Sequence, residues 1–194
     1  MSEKSAQKKL YILKTARKVF MEKGFKNVTM KDIVEACEIS RGGLYLYFSG
    51  TEEIFMEVLK METEEADDVF SGSIGEDAVP SDILALFLKE QKKELLRRKN
   101  NLTMAVYEFF FANKFPKKDH LLKQQFDTAV KIMEKLIEAG VEAGEFYSED
   151  PLGAARNIMY VLEGLKVVSL TRGITEEIVD REILYIMQGL VIEE

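Results

Sequence analysis

"VTMKDIVEACEISRGGLYLYFSG", residues 28–50, decides the fold. Thr29 is a favoured N-cap, and Asp32 three residues on suits a helix first turn. Met30, Ile33 and Val34 then point to one side. The pattern breaks around Cys37–Ile39. Ser40 caps a second, shorter helix that reaches about Tyr47. Helix, tight turn and helix within twenty residues is the pattern of a helix-turn-helix, whose second helix enters the DNA major groove. Three-helix heads with this pattern also occur as plain packing units, so the pattern alone leaves both readings open. Two adjacent glycines, Gly42 and Gly43, sit inside the short helix, where each costs about 1 kcal/mol relative to alanine.

Working outward, a preceding helix is predicted over about 5–23, with Leu10, Leu13, Ala16, Val19 and Phe20 on one face and Gly24 closing it. A long helix follows from Thr51 to about Val69, with Glu52 and Glu53 at its N-terminus. Ile54, Phe55, Val58, Leu59 and Met61 carry its apolar side. "FSGSIGEDAVPSD" (70–82) reads as a loop. Five further helices are predicted at roughly 81–98, 101–113, 119–143, 150–172 and 175–192. The fold class is therefore all-α: a three-helix N-terminal helix-turn-helix domain over residues 1–50, then a helical domain over 51–194.

The chain has 194 residues, 46% of them apolar, with only three prolines. The net charge of −7 argues against nucleic acid until it is divided. Residues 1–50 hold ten basic and five acidic side chains, whereas 51–194 hold 17 and 29. A basic head on an acidic body is what matters for a polyanionic partner. The single cysteine, Cys37, excludes an internal disulfide and suits a reducing cytoplasm. The single histidine, His120, argues against a His/Cys metal site. No cofactor is expected. No apolar run approaches the ~18 residues of a membrane span, so a cytoplasmic location is expected. No nucleophile–base pair and no glycine-rich phosphate loop after a strand is present, so the chain is not expected to be an enzyme. The remaining rival is a helical adaptor, which explains the apolar C-terminal helices but not the basic head.

Residues 15–55, "TARKVFMEKGFKNVTMKDIVEACEISRGGLYLYFSGTEEIF", resemble the N-terminal domain of the TetR family of bacterial transcriptional regulators. The resemblance lies in Ala16, Phe20, Gly24-Phe25, Thr29, Ile33, Ala36, Ile39-Ser40, Gly42, Leu44-Tyr45, Phe48 and Glu52-Glu53-Ile54. "LIEAGVEAGEF" (136–146) with "EDPLGAARNIMYVLEGL" (149–165) resembles the stretch leading into that family's dimerising helices. The resemblance implies a regulator, most commonly a repressor, that binds a palindromic operator as a dimer and is released by a small hydrophobic ligand.

In the short helix, Leu44 and Phe48 are expected to pack inward on Phe20 and Ile33. Ser40, Arg41, Gly43, Tyr45, Leu46 and Tyr47 are expected outward, with Gly42 small enough for close approach to a neighbouring helix or to DNA. Arg41 is the candidate for a guanine edge, since its forked guanidinium can engage O6 and N7 together; phosphate contact is the equal alternative. The resemblance places Tyr45 and Tyr47 at backbone- or base-contacting positions. Thr29, Lys31 and Lys26 can meet phosphate at the start of the second helix. Three positions depart from the family pattern. Glu38 stands where the turn usually has glycine, Gly43 where threonine is common, and Thr51 where a phosphate-binding lysine is usual.

"IMYVLEGLKVVSL" (158–170) and "EEIVDREILYIMQGLVI" (176–192) are apolar on more than one face, which calls for a partner chain. The residues expected at a homodimer interface are Ile158, Leu162, Leu165, Val168, Ile183, Ile186, Met187 and Leu190. The middle helices carry many large flexible apolar groups, and Phe115 lies among them. The expected effector-binding set is Phe87, Met104, Tyr107, Glu108, Phe111, Phe126, Met133, Met159, Tyr160 and Glu163, although an ordinary core would use the same residue types.

Overall fold

The structure, a computed structural model, describes residues 3–73, 75, 77–97, 101–113 and 121–190. Phe115 and His120 lie outside them. Nine helices run through the described residues: α1 (Glu3–Lys23), α2 (Met30–Cys37), α3 (Arg41–Tyr45), α4 (Thr51–Ser73), α5 (Pro80–Leu96), α6 (Thr103–Ala112), α7 (Leu121–Glu142), α8 (Pro151–Thr171) and α9 (Glu176–Gln188). The all-α expectation holds.

Local chemistry sets most of the boundaries. The Thr29 hydroxyl accepts the Asp32 amide while the Asp32 carboxylate accepts the Thr29 amide, a reciprocal cap at the start of α2. Pro80 and Pro151 open α5 and α8 at positions where a missing N–H costs nothing. Asp150 and Thr175 cap α8 and α9. Most boundaries fall within two residues of expectation, α3 ending at Tyr45 rather than Tyr47, and two differ by four. α4 continues to Ser73, so residues 70–73 are helix rather than loop. Each added residue gains a backbone hydrogen bond, and no proline intervenes before Pro80. α9 ends at Gln188 with Gly189 as its C-cap, short of residue 192.

By contacts the chain groups into two units, residues 1–72 with 99–114, and 73–98 with 115–194. In the first, Phe20, Phe25, Phe55 and Phe109 form an aromatic cluster joining α1, the α1–α2 turn, α4 and α6. The Phe20–Phe55 and Phe25–Phe109 centroids are each 4.7 Å apart, and Phe25–Phe55 and Phe55–Phe109 are each 5.1 Å apart. Phe20, Phe55 and Phe109 are buried, and burying each such ring contributes about 2 kcal/mol. This cluster is why α4 and α6 pack with the head, whereas the expected division by role fell at residue 50. Leu44 and Phe48 are buried as expected. Leu10 is not: the stripe of Ile12, Leu13, Ala16, Val19 and Phe20 is buried, and Leu10 lies roughly 120° around the helix from its centre. Lys9 pairs with Glu57 at 2.8 Å and Arg17 with Glu62 at 2.9 Å, tying α1 to α4.

The second unit packs α5, α7, α8 and α9 around Leu84, Leu88, Val130, Met133, Ile137, Ile158, Leu162, Ile186 and Leu190. Lys92 bridges from α5 to Glu176 and Asp180 of α9 at 2.8 and 2.5 Å.

Candidate nucleic-acid interface

The α2 N-terminus is rigidly built. Lys23 reaches Asp32 at 2.5 Å, and Asp32 in turn holds Thr29. The Lys23 ammonium, then the Thr29 hydroxyl and amide, drive the Asp32 carboxyl far below the ordinary carboxylate range. Lys31 and Lys26 are exposed beside this cap, and Lys31 lies 3.6 Å from Glu35 one turn on.

The turn into α3 keeps a left-handed residue. Glu38 has φ 52° and ψ 40°, and it is the one non-glycine residue with positive φ among the described residues. Its amide bonds to the Glu35 carbonyl at 3.2 Å, and the Ile39 amide to Val34 at 3.3 Å. A residue with a Cβ carries backbone strain in this region, which glycine would not. Ser40 then caps α3 by accepting the Gly43 amide at 3.1 Å.

Ser40, Arg41, Gly42, Tyr45 and Leu46 of α3 and its flanks are exposed; Gly43, Tyr47 and Thr51 are half-buried. Leu46 leaves 84% of its surface open. The Arg41 guanidinium lies 5.5 Å from the centre of the Tyr45 ring, a cation–π contact that orders it. The Tyr47 hydroxyl accepts from Ser5 at 3.4 Å, which orients that ring toward the start of α1. A Cβ on Gly42 would meet no atom within 4 Å, whereas one on Gly43 would lie 3.1 Å from the Ser40 hydroxyl. A groove of about 480 Å³ between α2 and α3 brings Thr29, Lys31, Arg41 and Tyr45 together with Met30, Val34 and Glu35. Glu35 belongs to this groove and was not among the expected residues, although its i,i+4 spacing from Lys31 signalled the pair.

The expected effector set is drawn from both units. Met104, Tyr107, Glu108 and Phe111 lie on α6 in the first unit, and the other six in the second. Tyr107 and Phe111 stack at 6.0 Å, with Phe111 83% exposed. Met133 is buried in the second core, and Phe87, Phe126 and Met159 pack against it. Tyr160 is exposed beside Phe126 at 5.1 Å. Glu163 lies 3.9 Å from Lys166.

The residues expected at the dimer interface divide by burial. Ile158, Leu162, Leu165, Ile186 and Leu190 are buried in the chain's own core, and Val168, Ile183 and Met187 pack half-buried against it. The apolar side chains that α8 and α9 leave exposed are Tyr160, Val167, Ile178, Leu184 and Tyr185. The most aliphatic stripe of each helix serves its own subunit, because it buries the most apolar area there. Among the described residues, no helix is long and apolar enough to cross a membrane.

Residues 12–58 match the family described as bacterial regulatory proteins, tetR family, and residues 83–180 match the tetracyclin repressor-like C-terminal domain. The uncharacterized HTH-type transcriptional regulator YfiR of Bacillus subtilis is 33% identical over 142 residues, 73% of this chain and 69% of that protein. A TetR transcription regulator from Haloarcula marismortui superposes with a TM-score of 0.84 over 96% of this chain and 100% of its own, at 15% identity. The regulator FadR from Bacillus subtilis, in complex with stearoyl-CoA, superposes with a TM-score of 0.73 over 93% and 98%, at 18% identity. With both halves matched and the head built as a capped helix-turn-helix, the chain belongs to the TetR family and is a DNA-binding transcriptional regulator.

Proposed function

We propose that this regulator represses transcription by binding a near-palindromic operator as a homodimer, and that a small hydrophobic effector releases it. The observation that carries the DNA-facing role is Gly42. Gly42 stands at the second position of α3, where glycine is a poorer helix former than alanine, yet nothing in the chain stands within 4 Å of where its side chain would be. The stability is given up for something that approaches from outside. In this reading Ser40, Gly42, Gly43 and Leu46 let α3 lie close in the major groove. Arg41, ordered on Tyr45, reads a guanine edge. Lys26, Thr29, Lys31, Tyr47 and Thr51 hold phosphates and set the register.

The dimer face in this reading is the exposed side of α8 and α9, with Tyr160, Val167, Ile178, Leu184 and Tyr185 at its centre. A two-fold pair would place two α3 helices about 34 Å apart, one DNA turn. The exposed Met104 and Phe111, with the half-buried Tyr107 stacked on Phe111, favour a hydrophobic effector, and Bacillus subtilis FadR is in complex with stearoyl-CoA, a molecule with a long apolar tail. Effector binding would shift the population toward a form whose α4 helices hold the heads at the wrong separation.

A gel-shift with DNA from upstream of the protein's own coding sequence tests this. A dimer saturating a palindromic site is the expected result. Steeply salt-dependent binding without sequence preference, or no saturable binding at low salt, overturns it.

A further inference from the structure

Glu108 is engaged within its own unit. Its Oε2 accepts the backbone amide of Lys26 at 3.1 Å, from 82 positions away in sequence. The same carboxylate fills the notch left by Gly24. A Cβ there would stand 2.5 Å from Oε2, 3.1 Å from the carboxyl carbon and 3.2 Å from Oε1. Gly24 is buried and has φ +73°, so both its backbone and its surroundings demand glycine. The next residue of α6, Phe109, packs on Phe25 and Phe55. Two adjacent α6 residues therefore clamp the α1–α2 turn, one by a charge-assisted hydrogen bond and one by ring packing.

That turn leads directly into the DNA-facing end of α2. Lys26 is three residues before Thr29, and the Val28 amide closes on the Phe25 carbonyl at 3.3 Å. Little slack separates the amide that Glu108 holds from the cap that opens α2. We infer that Glu108 is a positioning residue for operator binding: by holding the Lys26 amide against Gly24 it sets where Lys26, Thr29 and Lys31 meet phosphate. The inference rests on the DNA-binding reading of those three residues. It also makes α6 an element whose displacement is felt at the head through the Glu108 carboxylate as well as the Phe109 ring.

Sign separates this from simpler accounts. Glu108 is an acid near a surface meant for a polyanion, so removing its charge should strengthen binding if electrostatics alone acted. Positioning demands the opposite. A purely structural role demands lower stability with unchanged affinity of the folded protein.

The test uses the full chain and the upstream DNA fragment, well below the melting temperature. Glu108→Ala is expected to weaken binding about tenfold, the worth of one hydrogen bond to a charged acceptor. The salt slope should flatten by about one as a phosphate contact is lost. Glu108→Gln, which keeps an acceptor oxygen, should stay within about threefold of wild type, and hydrogen exchange at the Lys26 amide should speed up in the alanine variant but not in the glutamine one. Gly24→Ala should do less damage in the Glu108→Ala background than in wild type, because the clashing carboxylate is gone. Folded Glu108→Ala binding as tightly as wild type, or more tightly, overturns the inference. So does unchanged exchange at Lys26. If wild type itself fails to bind any fragment saturably, the DNA reading fails and takes this inference with it, a result distinct from equal binding by wild type and variant.

Discussion

Replacing Glu38 with glycine should stabilise this protein and tighten its grip on DNA, two effects with separate causes. Glu38 sits at φ 52°, ψ 40°. An L-residue pays roughly 1–2 kcal/mol there, because its Cβ crowds the following carbonyl. Glycine escapes that cost but loses about 0.5–1 kcal/mol in extra unfolded-state entropy. The difference favours Glu38→Gly by on the order of 0.5–1 kcal/mol, which for a chain of this size is a melting-temperature rise of roughly 1–4 °C. The second effect is charge. One carboxylate about 10 Å from a phosphate contributes near 0.4 kcal/mol of repulsion in water, about a factor of two in affinity before screening. Glu38→Gln separates the two, since it keeps the left-handed strain and drops the charge. It should tighten operator binding about twofold at low salt with no gain in melting temperature. Thermal unfolding by circular dichroism, paired with gel-shift titrations at two salt concentrations, reads both effects. A fall in melting temperature for Glu38→Gly would refute the reasoning, because the glutamate side chain would then contribute more than its backbone costs.

Four other substitutions probe other parts of the molecule. Gly42→Leu should leave the fold as stable or up to about 1 kcal/mol more stable, because the site is open, while abolishing operator binding in a gel shift. Asp32 carries a folded-state pKa held below its unfolded value by Lys23 and Thr29, so its stabilising contribution is present above the unfolded carboxyl pKa and is lost as pH falls below about 4. Thermal scans of Asp32→Asn should show a lower melting temperature than wild type at pH 7 and convergence with it in strong acid. On α8 and α9, Tyr185→Asp should shift the sedimenting species from dimer to monomer with the helical spectrum retained, whereas Leu162→Ala, in the core, should cost about 2–5 kcal/mol of stability.

What could be read from the sequence was whatever local chemistry decides. Thr29, Ser40 and Thr175 cap helices because their side chains reach amides two or three residues away, and Pro80 and Pro151 open helices by their own geometry. All of this is visible in a window of five residues. The inward pair at α3 was equally legible, since Leu44 and Phe48 are four apart and fall on one side of a helical turn. The stripes of α8 and α9 were not. Both helices are apolar around much of their circumference, and periodicity shows how wide the apolar surface is without saying which part meets the chain's own core. Of the aliphatic residues expected at the dimer face, Ile158, Leu162, Leu165, Ile186 and Leu190 are buried in the chain's own core, and Val168, Ile183 and Met187 are half-buried against it. α6 was opaque for a related reason. "TMAVYEFFFA" is apolar nearly all round, so the allocation of Phe109 to the head cluster, of Phe111 to the surface and of Glu108 to the Lys26 amide depends on partners far away in sequence.

Glycine carries the same lesson at smaller scale. Gly24 was legible as a helix terminator, and its backbone bears that out at φ +73°. Its second reason, the Glu108 carboxylate, appears only once α6 is in place. Gly43 has a neighbour in the Ser40 hydroxyl, 3.1 Å from where its Cβ would be, so a side chain there competes with the cap of α3. Gly42 has neither a positive φ nor a neighbour. Of the two explanations open to it, crowding by another helix or crowding by DNA, the first has no atom to do the crowding. Under the proposed DNA-binding reading, the reason for Gly42 lies outside the chain, on the side where α3 presents Arg41, Tyr45 and Leu46.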